Sequence, residues 1–237
     1  MSDKLVCAIV GVGPGLGLAL ARRFAPDYSL ALIARSEEFL STAAREIRAQ
    51  GGRAIAVGAD LAAADQIERA FGRIRSEIGA PAVTIYNAAM RPFGRLMETT
   101  PEAFENSWRS TAFGAFLCSQ QVVPEMLKAG RGAIVFTGAT AGFKPFATSA
   151  AFGPAEFALR GLAQVMARDL APSGIHVAYV NIDGPIDNQR TRARNPKLTD
   201  DDVLKPAAIA QAYWHLVHQD RSAWTQELEL RPFREKF

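Results

Sequence analysis

Leu5-Val6-Cys7-Ala8-Ile9-Val10-Gly11-Val12-Gly13-Pro14-Gly15-Leu16-Gly17 begins as an unbroken apolar run, turns through alternate glycines, and continues into the helical-looking segment Leu18 to Phe24. The order is strand, glycine turn, helix. Gly11 suits the positive φ of a tight turn, which side chains resist. Gly15 puts no side chain between the backbone and an incoming pyrophosphate, and Gly17 lets the helix lie close on the strand. The free N–H groups at the helix start, reinforced by the helix dipole, then face the phosphates. Gly13 and Leu16 sit in the same turn and join Gly11, Gly15 and Gly17 as expected nucleotide contacts. The alternative is a glycine-rich turn with no ligand. Its position on the first strand of an α/β pattern argues for the nucleotide.

That pattern runs the length of the chain. Apolar runs predict strands at 4–10, 29–34, 53–58, 82–87, 132–137, 174–181 and 224–230. Helical stretches are predicted near 15–25, 36–50, 63–79, 101–128, 149–171 and 200–219. Strand–helix alternation implies right-handed crossovers and a largely parallel sheet covered on both faces. Runs such as Leu30-Ala31-Leu32-Ile33-Ala34 have the unbroken apolar character of strands buried on both sides. The expectation is one doubly wound, Rossmann-type α/β domain over residues 1–237, with seven strands and helices on both faces. The least regular part, 182–200, is expected to cap the strand ends, where such folds bind ligands.

At 237 residues, with 49% apolar and 22% charged residues, the chain has the composition of an ordinary soluble domain. Net charge is only +3, with both signs spread along the chain and no basic block, which argues against nucleic acid or a membrane surface as partner. Met1-Ser2-Asp3-Lys4 runs straight into the first strand, with no apolar leader and no apolar run of transmembrane length, so a cytoplasmic location is expected. Cys7 and Cys118 lack metal-site spacing and fit free core thiols; no metal site is expected.

Two helices carry apolar stripes: Phe152, Ala155, Leu159, Ala163, Met166 and Leu170, and Phe104, Trp108, Ala112 and Phe116. Packing on the sheet explains most of these. The sharper reading gives both helices a subunit interface as well, in a homodimer or homotetramer.

The second strand ends Ala34-Arg35-Ser36-Glu37-Glu38. An acid at position 34 would bond the adenosine ribose hydroxyls. Here Ala34 is followed by Arg35, whose guanidinium can pair with a 2′-phosphate, so NADP(H) is favoured over NAD(H). A solvated charge at a helix start is the alternative for Arg35. Glu37 and Glu38 fit the first turn of a helix capped by Ser36. Asp60 ends the third strand, where it could accept from an adenine amino group, cap a helix, or both. Asn87-Ala88-Ala89 ends the fourth, where small residues let the chain pass close to a ribose.

Together these features resemble the short-chain dehydrogenase/reductase family. The glycine pattern TGxxxGxG stands here as Val10-Gly11-Val12-Gly13-Pro14-Gly15-Leu16-Gly17, and the Asn-Ala-Gly turn as Asn87-Ala88-Ala89. The resemblance implies dinucleotide contacts also at Leu61 and Ile186. It implies oxidoreductase chemistry on a carbonyl or alcohol, with a small-molecule substrate as second partner.

The catalytic residues do not carry over. The family's YxxxK motif aligns with Phe152 and Glu156, its serine with Ala139, and its supporting asparagine with Thr111. Phe152 has no proton to give and Glu156 has the wrong sign. Helix 149–171 contains neither Tyr nor Lys, so no shift of alignment restores the motif. The turn after strand six is altered too, to Ile182-Asp183-Gly184-Pro185. The chain is similar to a divergent branch with Phe in the Tyr position, which shares stretches like 136–141 and 230–232; that branch keeps the Lys, so Glu156 departs further.

Three readings follow. One is an oxidoreductase with a rearranged site, using Tyr86, Thr140, Lys144, Ser149, Asp183 or water as proton donor. Glu156 would then accept from ribose hydroxyls and favour the oxidised nicotinamide ring. The second is a nucleotide-binding sensor or partner subunit without turnover. The third is an apo scaffold whose pocket is blocked by Pro14 or Glu156. Arg190, Arg192 and Arg194 either meet an acidic substrate or are solvated loop charges, the simpler account.

Overall fold

A computed structural model describes residues 4–235. Met1 to Asp3, expected to lead directly into the first strand, lie outside the described residues. The chain opens with β1 (Val6–Val10), α1 (Leu16–Phe24), β2 (Ser29–Ala34), α2 (Glu37–Ala49), β3 (Arg53–Gly58), α3 (Ala64–Glu77) and β4 (Pro81–Tyr86). Next come α4 (Pro101–Trp108), a π-turn (Arg109–Phe113), α5 (Gly114–Ala129), β5 (Gly132–Ala139) and α6 (Phe152–Leu170). The last elements are β6 (Ile175–Ile182), α7 (Gln189–Arg194), α8 (Pro206–Val217) and β7 (Glu227–Leu230).

The seven strands form one sheet in the order β3-β2-β1-β4-β5-β6-β7, and every pairing is parallel. The chain starts mid-sheet, winds outward to β3, then crosses back beside β1 and winds the other way. The reversal lies between β1 and β4, where doubly wound folds leave a crevice. Register brings the strand ends level: Val10 pairs with Ile33 on one side and Tyr86 on the other. Gly11, Ala34 and Asn87 therefore emerge together.

Alternation along β1 builds both halves of the core. Cys7 and Ile9 pack with α1, α2 and α8, whereas Val6, Ala8 and Val10 pack with α3, α5 and α6. A strand covered on both faces must be apolar throughout. Both cysteines are buried free thiols, and burial pushes their pKa values up.

Three expectations need correction. Helix 101–128 is interrupted by the π-turn Arg109–Phe113, in front of Gly114. A Cβ on Gly114 would meet the Leu61 carbonyl and the Tyr86 hydroxyl, each at 2.5 Å, so the helix lies too close to β4 for a side chain there. The stripe Phe104, Trp108 and Phe116 does not pack on the sheet; these three side chains are exposed. Small residues, Ala112, Gly114 and Ala115, take the sheet side, and the aromatics turn outward, with Trp108, Phe113 and Phe116 stacked in sequence. The α6 stripe, from Phe152 to Leu170, is buried as expected. The irregular segment 182–200 contains a short helix, α7, capped by Asn188, whose Oδ1 accepts from Thr191 N–H.

Candidate functional site

The crevice at the C-terminal ends of the strands is built by its glycines. Gly11 has φ +89°, and a Cβ there would sit 2.7 Å from the Ala88 nitrogen, so β1 and β4 meet too closely for any side chain. Gly11 N–H donates to the Ile33 carbonyl, and Asn87 Nδ2 donates to the Gly11 carbonyl at 3.1 Å. These bonds fasten β1, β2 and β4 at one point. A Cβ on Gly17 would lie 2.7 Å from Val12 Cα, so α1 rests directly on the turn.

Gly13 and Gly15 have a different role. Nothing lies within 4 Å of a Cβ on Gly13, and only the Asn188 amide reaches 4.0 Å from one on Gly15. Both face open space. Gly15 caps α1 with no side-chain bond. The first amides of α1 thus meet an unobstructed cradle at the positive end of the helix. This arrangement fits a pyrophosphate. Pro14 is exposed and, like the expected contacts Gly15, Leu16 and Gly17, stands outside the cleft lining.

The cleft has a volume of about 700 Å³. Ala34, Arg35, Asp60 and Leu61 line one end, Gly11 to Gly13 and Asn87 to Ala89 the middle with Asn188, whose amide approaches Gly15, and Met90 to Phe93 with Arg190, Thr191 and Arg194 the other. Arg35 is exposed there. Ser36 caps α2 by accepting from Phe39 N–H, with Glu37 and Glu38 in the first turn, as expected. Asp60 does not cap a helix. It closes the turn before α3, accepting from Ala62 N–H at 3.0 Å, and α3 begins after Ala63. Ile186 stands apart from the cleft lining; it bridges to Leu204 at the root of the segment carrying α7.

The four positions that the resemblance matches to the family's catalytic set lie on the π-turn, β5 and α6, outside the cleft lining. Thr111 is buried in the π-turn, and its hydroxyl has no hydrogen-bond partner in the described structure. Ala139 ends β5, and Phe152 begins α6, 2% exposed. Glu156, one turn on, is 1% exposed. Neither Phe152 nor Glu156 lines the cleft. The Arg91 guanidinium lies 5.7 Å from the centre of the Phe152 ring.

Glu156 turns inward, among the Ala139 backbone, the Tyr179 hydroxyl and the charge of Arg91. Burial raises its pKa to about 8, against the pull of these three groups. Its Oε2 and the Tyr179 hydroxyl are both buried without a hydrogen bond of ordinary geometry. Two glycines make room for Tyr179. Any Cβ at Gly138 or Gly142 would overlap its phenol. Tyr179 is a polar neighbour that sequence reasoning missed; one glycine near the end of β5 and another in the turn after it, beside a bulky residue of β6, were the available signal.

Of the other donors expected from sequence, Tyr86, Ser149, Lys144 and Asp183 have partners, and Thr140 stands outside the cleft lining. Tyr86 donates to the Ser110 carbonyl across the π-turn. Ser149 donates to the Phe146 carbonyl at 2.6 Å. Lys144 pairs with buried Asp183 at 2.8 Å, and Arg231 approaches the same carboxylate at 3.4 Å. Thr140 opens the turn Thr140–Gly142, its carbonyl accepting from Lys144 N–H. Among the described residues no cluster of His, Cys, Asp and Glu has the makings of a metal site, and no helix is long and apolar enough to cross a membrane.

Comparisons with known proteins agree with this geometry. The short chain dehydrogenase family profile matches residues 5–198. Dehydrogenase/reductase SDR family member 4 of Oryctolagus cuniculus is 30% identical over 174 residues, covering 73% of this chain and 67% of that protein. A solved short-chain dehydrogenase from Rhodopseudomonas palustris is 34% identical, with a TM-score of 0.84 over 96% of this chain and 98% of the other. A metagenomic short-chain oxidoreductase, solved with NADP, is 26% identical, with a TM-score of 0.85 over 98% and 99% of the two chains. With its glycine turn, its parallel sheet and the span of these matches, the chain belongs to the short-chain dehydrogenase/reductase family.

Proposed function

We propose that this chain binds a nicotinamide dinucleotide in the cleft, with NADP(H) preferred over NAD(H), and works as an oxidoreductase of altered chemistry. The observation that carries the reading is the open glycine cradle at the bare start of α1, set where the sheet reverses. Gly11, Gly13, Gly15, Leu16 and Gly17 hold the pyrophosphate, Arg35 the 2′-phosphate, Asp60 and Leu61 the adenine, and Asn87 and Ala88 the nicotinamide-side ribose. Ile186 helps to seat the segment carrying α7, which caps the bound nucleotide. The NADP in the metagenomic relative supports the cofactor class.

When bound, the cofactor supplies a hydride; the protein orients it, limits water and manages the proton. Here Phe152 can move no proton, and Glu156 is held in the interior rather than beside the nicotinamide. Proton delivery to a carbonyl oxygen therefore falls to water. Loss of a positioned acid removes about 10²–10⁴-fold in rate. Turnover on simple ketones is slow.

The second reading is a nucleotide-binding sensor or partner subunit without turnover, favoured by the burial of Phe152 and Glu156 away from the cleft. The exposed aromatics of α4 and α5, with Phe157 and Val165 of α6, support a homodimer or homotetramer. Fluorescence titration with NADPH and NADH, followed by a carbonyl screen, separates the readings. Binding with turnover selects the first, binding without turnover the second, and no binding refutes both.

A further inference from the structure

Helix α7 sorts its arginines by helical period. Arg190 and Arg194 are one turn apart on one side, and Arg192 falls between them on the other. Arg192 is fully engaged: Nε donates to Asp187 Oδ1 at 2.7 Å, Nη2 to Asp200 Oδ1 at 2.7 Å, and Nη1 to the Leu198 carbonyl at 2.7 Å. It pins the segment down. Arg190 and Arg194 line the cleft instead, as does Arg91 from the loop after β4, all three exposed to solvent there. The three guanidinium groups are close enough for Arg190 and Arg194 to oppose the charge of Arg91.

Nothing of opposite sign balances them inside the cleft. Among the described residues lining it, Asp60 is the only carboxylate, and it lies at the far end beside Leu61. Glu156 attracts Arg91, but from the interior behind the lining, where burial favours its neutral form. Converging cations without a counter-charge repel one another, and an anion placed between them relieves that repulsion. Guanidinium groups bind carboxylate and phosphate oxygens with paired donors. The same end of the cleft has an apolar wall of Met90, Pro92 and Phe93, the last stacked on Phe146 with ring centres 6.1 Å apart.

We propose that this end of the cleft takes a small organic anion, a carboxylate or phosphate monoester on an apolar body, held by Arg91, Arg190 and Arg194. The assignment rests on the proposed function, because a dinucleotide lying on the glycine turn puts its own phosphates at the other arginine, Arg35, and along α1. The anion is then a second ligand, substrate or effector. Its class holds whether or not the chain turns it over.

Calorimetric titration of the NADPH-saturated protein tests this with phenylpyruvate, its neutral methyl ester, and phenyl phosphate. We expect at least one anion to bind about tenfold more tightly than the ester, as charge-assisted pairing to more than one guanidinium implies. Arg91→Gln with Arg194→Gln should erase that preference while leaving ester and NADPH affinities within about threefold. Exposed Arg190→Gln, singly, should reduce it in the same direction if the double variant fails to fold. Equal affinity of wild type for the anions and the ester overturns the inference. So does a loss that falls on NADPH, which makes the arginines cofactor-phosphate ligands. If wild type binds no NADPH, the proposed function fails on its own; anion preference in the nucleotide-free protein then still supports the site, and its absence overturns it. The acid and phosphate arms tell the two headgroups apart.

Discussion

Replacing Glu156 by Gln should remove the loss of stability that one buried carboxyl brings to this protein at alkaline pH. Glu156 is 1% exposed, and its pKa moves from 4.5 to about 8, chiefly because burial disfavours the charged form. Between those two values the native state keeps a proton that the unfolded chain has released. The favourable linkage is complete below about 4.5 and is lost as pH rises through about 8. At 1.36 kcal/mol per pKa unit, the loss from this one group reaches at most about 5 kcal/mol by pH 9. Gln has nearly the same shape and no proton to lose, so it removes the pH dependence and leaves a constant offset. Urea unfolding of both proteins at pH 5, 7 and 9 measures this. The stability of Glu156→Gln relative to wild type should climb by several kcal/mol from pH 5 to 9, with the variant the more stable at the alkaline end. Cys7 and Cys118 also have raised pKa values, but burial alone raises them and both proteins share them. A relative stability that stays flat across the range would refute the reasoning, because the carboxyl would then be ionised and solvated in the native state.

Arg35→Ala should weaken NADPH binding by about 1–3 kcal/mol, the loss expected for a charge-assisted bond, and barely change NADH binding; equal losses by fluorescence titration would remove Arg35 from the 2′-phosphate. Wild type should reduce small ketones and quinones below about 1 per second, under ordinary enzymatic rates. Phe152→Tyr with Glu156→Lys should raise NADPH oxidation more than either change alone, since such groups act as a set, although a lysine there would feel Arg91; simple additivity would argue against a shared role. Sedimentation at micromolar concentration should give a dimer or tetramer, and a clean monomer would leave the aromatics of α4 and α5 without the proposed partner surface.

The strands were legible because a doubly covered parallel sheet demands continuous apolar runs, and each predicted strand overlaps an observed one with ends shifted by three residues or fewer. The glycine turn was legible because each glycine answers a different steric demand, visible now at Gly11, Gly17 and the open face of Gly13. Helix 101–128 was misread because period alone cannot register one extra residue in a turn; closeness to Leu61 and Tyr86 sets that break. The exposed Phe104, Trp108 and Phe116 mimicked a core stripe, since an apolar face looks the same from sequence whichever way it points. Asp60 closes a turn three residues before the cap of α3, a distinction of backbone geometry that residue type does not reveal. The division of labour among Arg190, Arg192 and Arg194 depended on α7, which is too short to announce itself by pattern.

Tyr179 and the two glycines around its phenol constrain how this site can change over generations. With the ring in place, β5 and the turn after it can take no Cβ at Gly138 or Gly142. A serine or alanine arriving first at either position would collide with the phenol, and overpacking of this kind costs about 1–3 kcal/mol or more. Shrinking Tyr179 first opens a hole, but a survivable one that later side chains can fill. The three positions are therefore linked in order as well as in space: descendants that gain bulk on β5 should have lost the tyrosine beforehand. The same order applies at the bench. Any attempt to rebuild β5 should trim residue 179 before it touches the glycines.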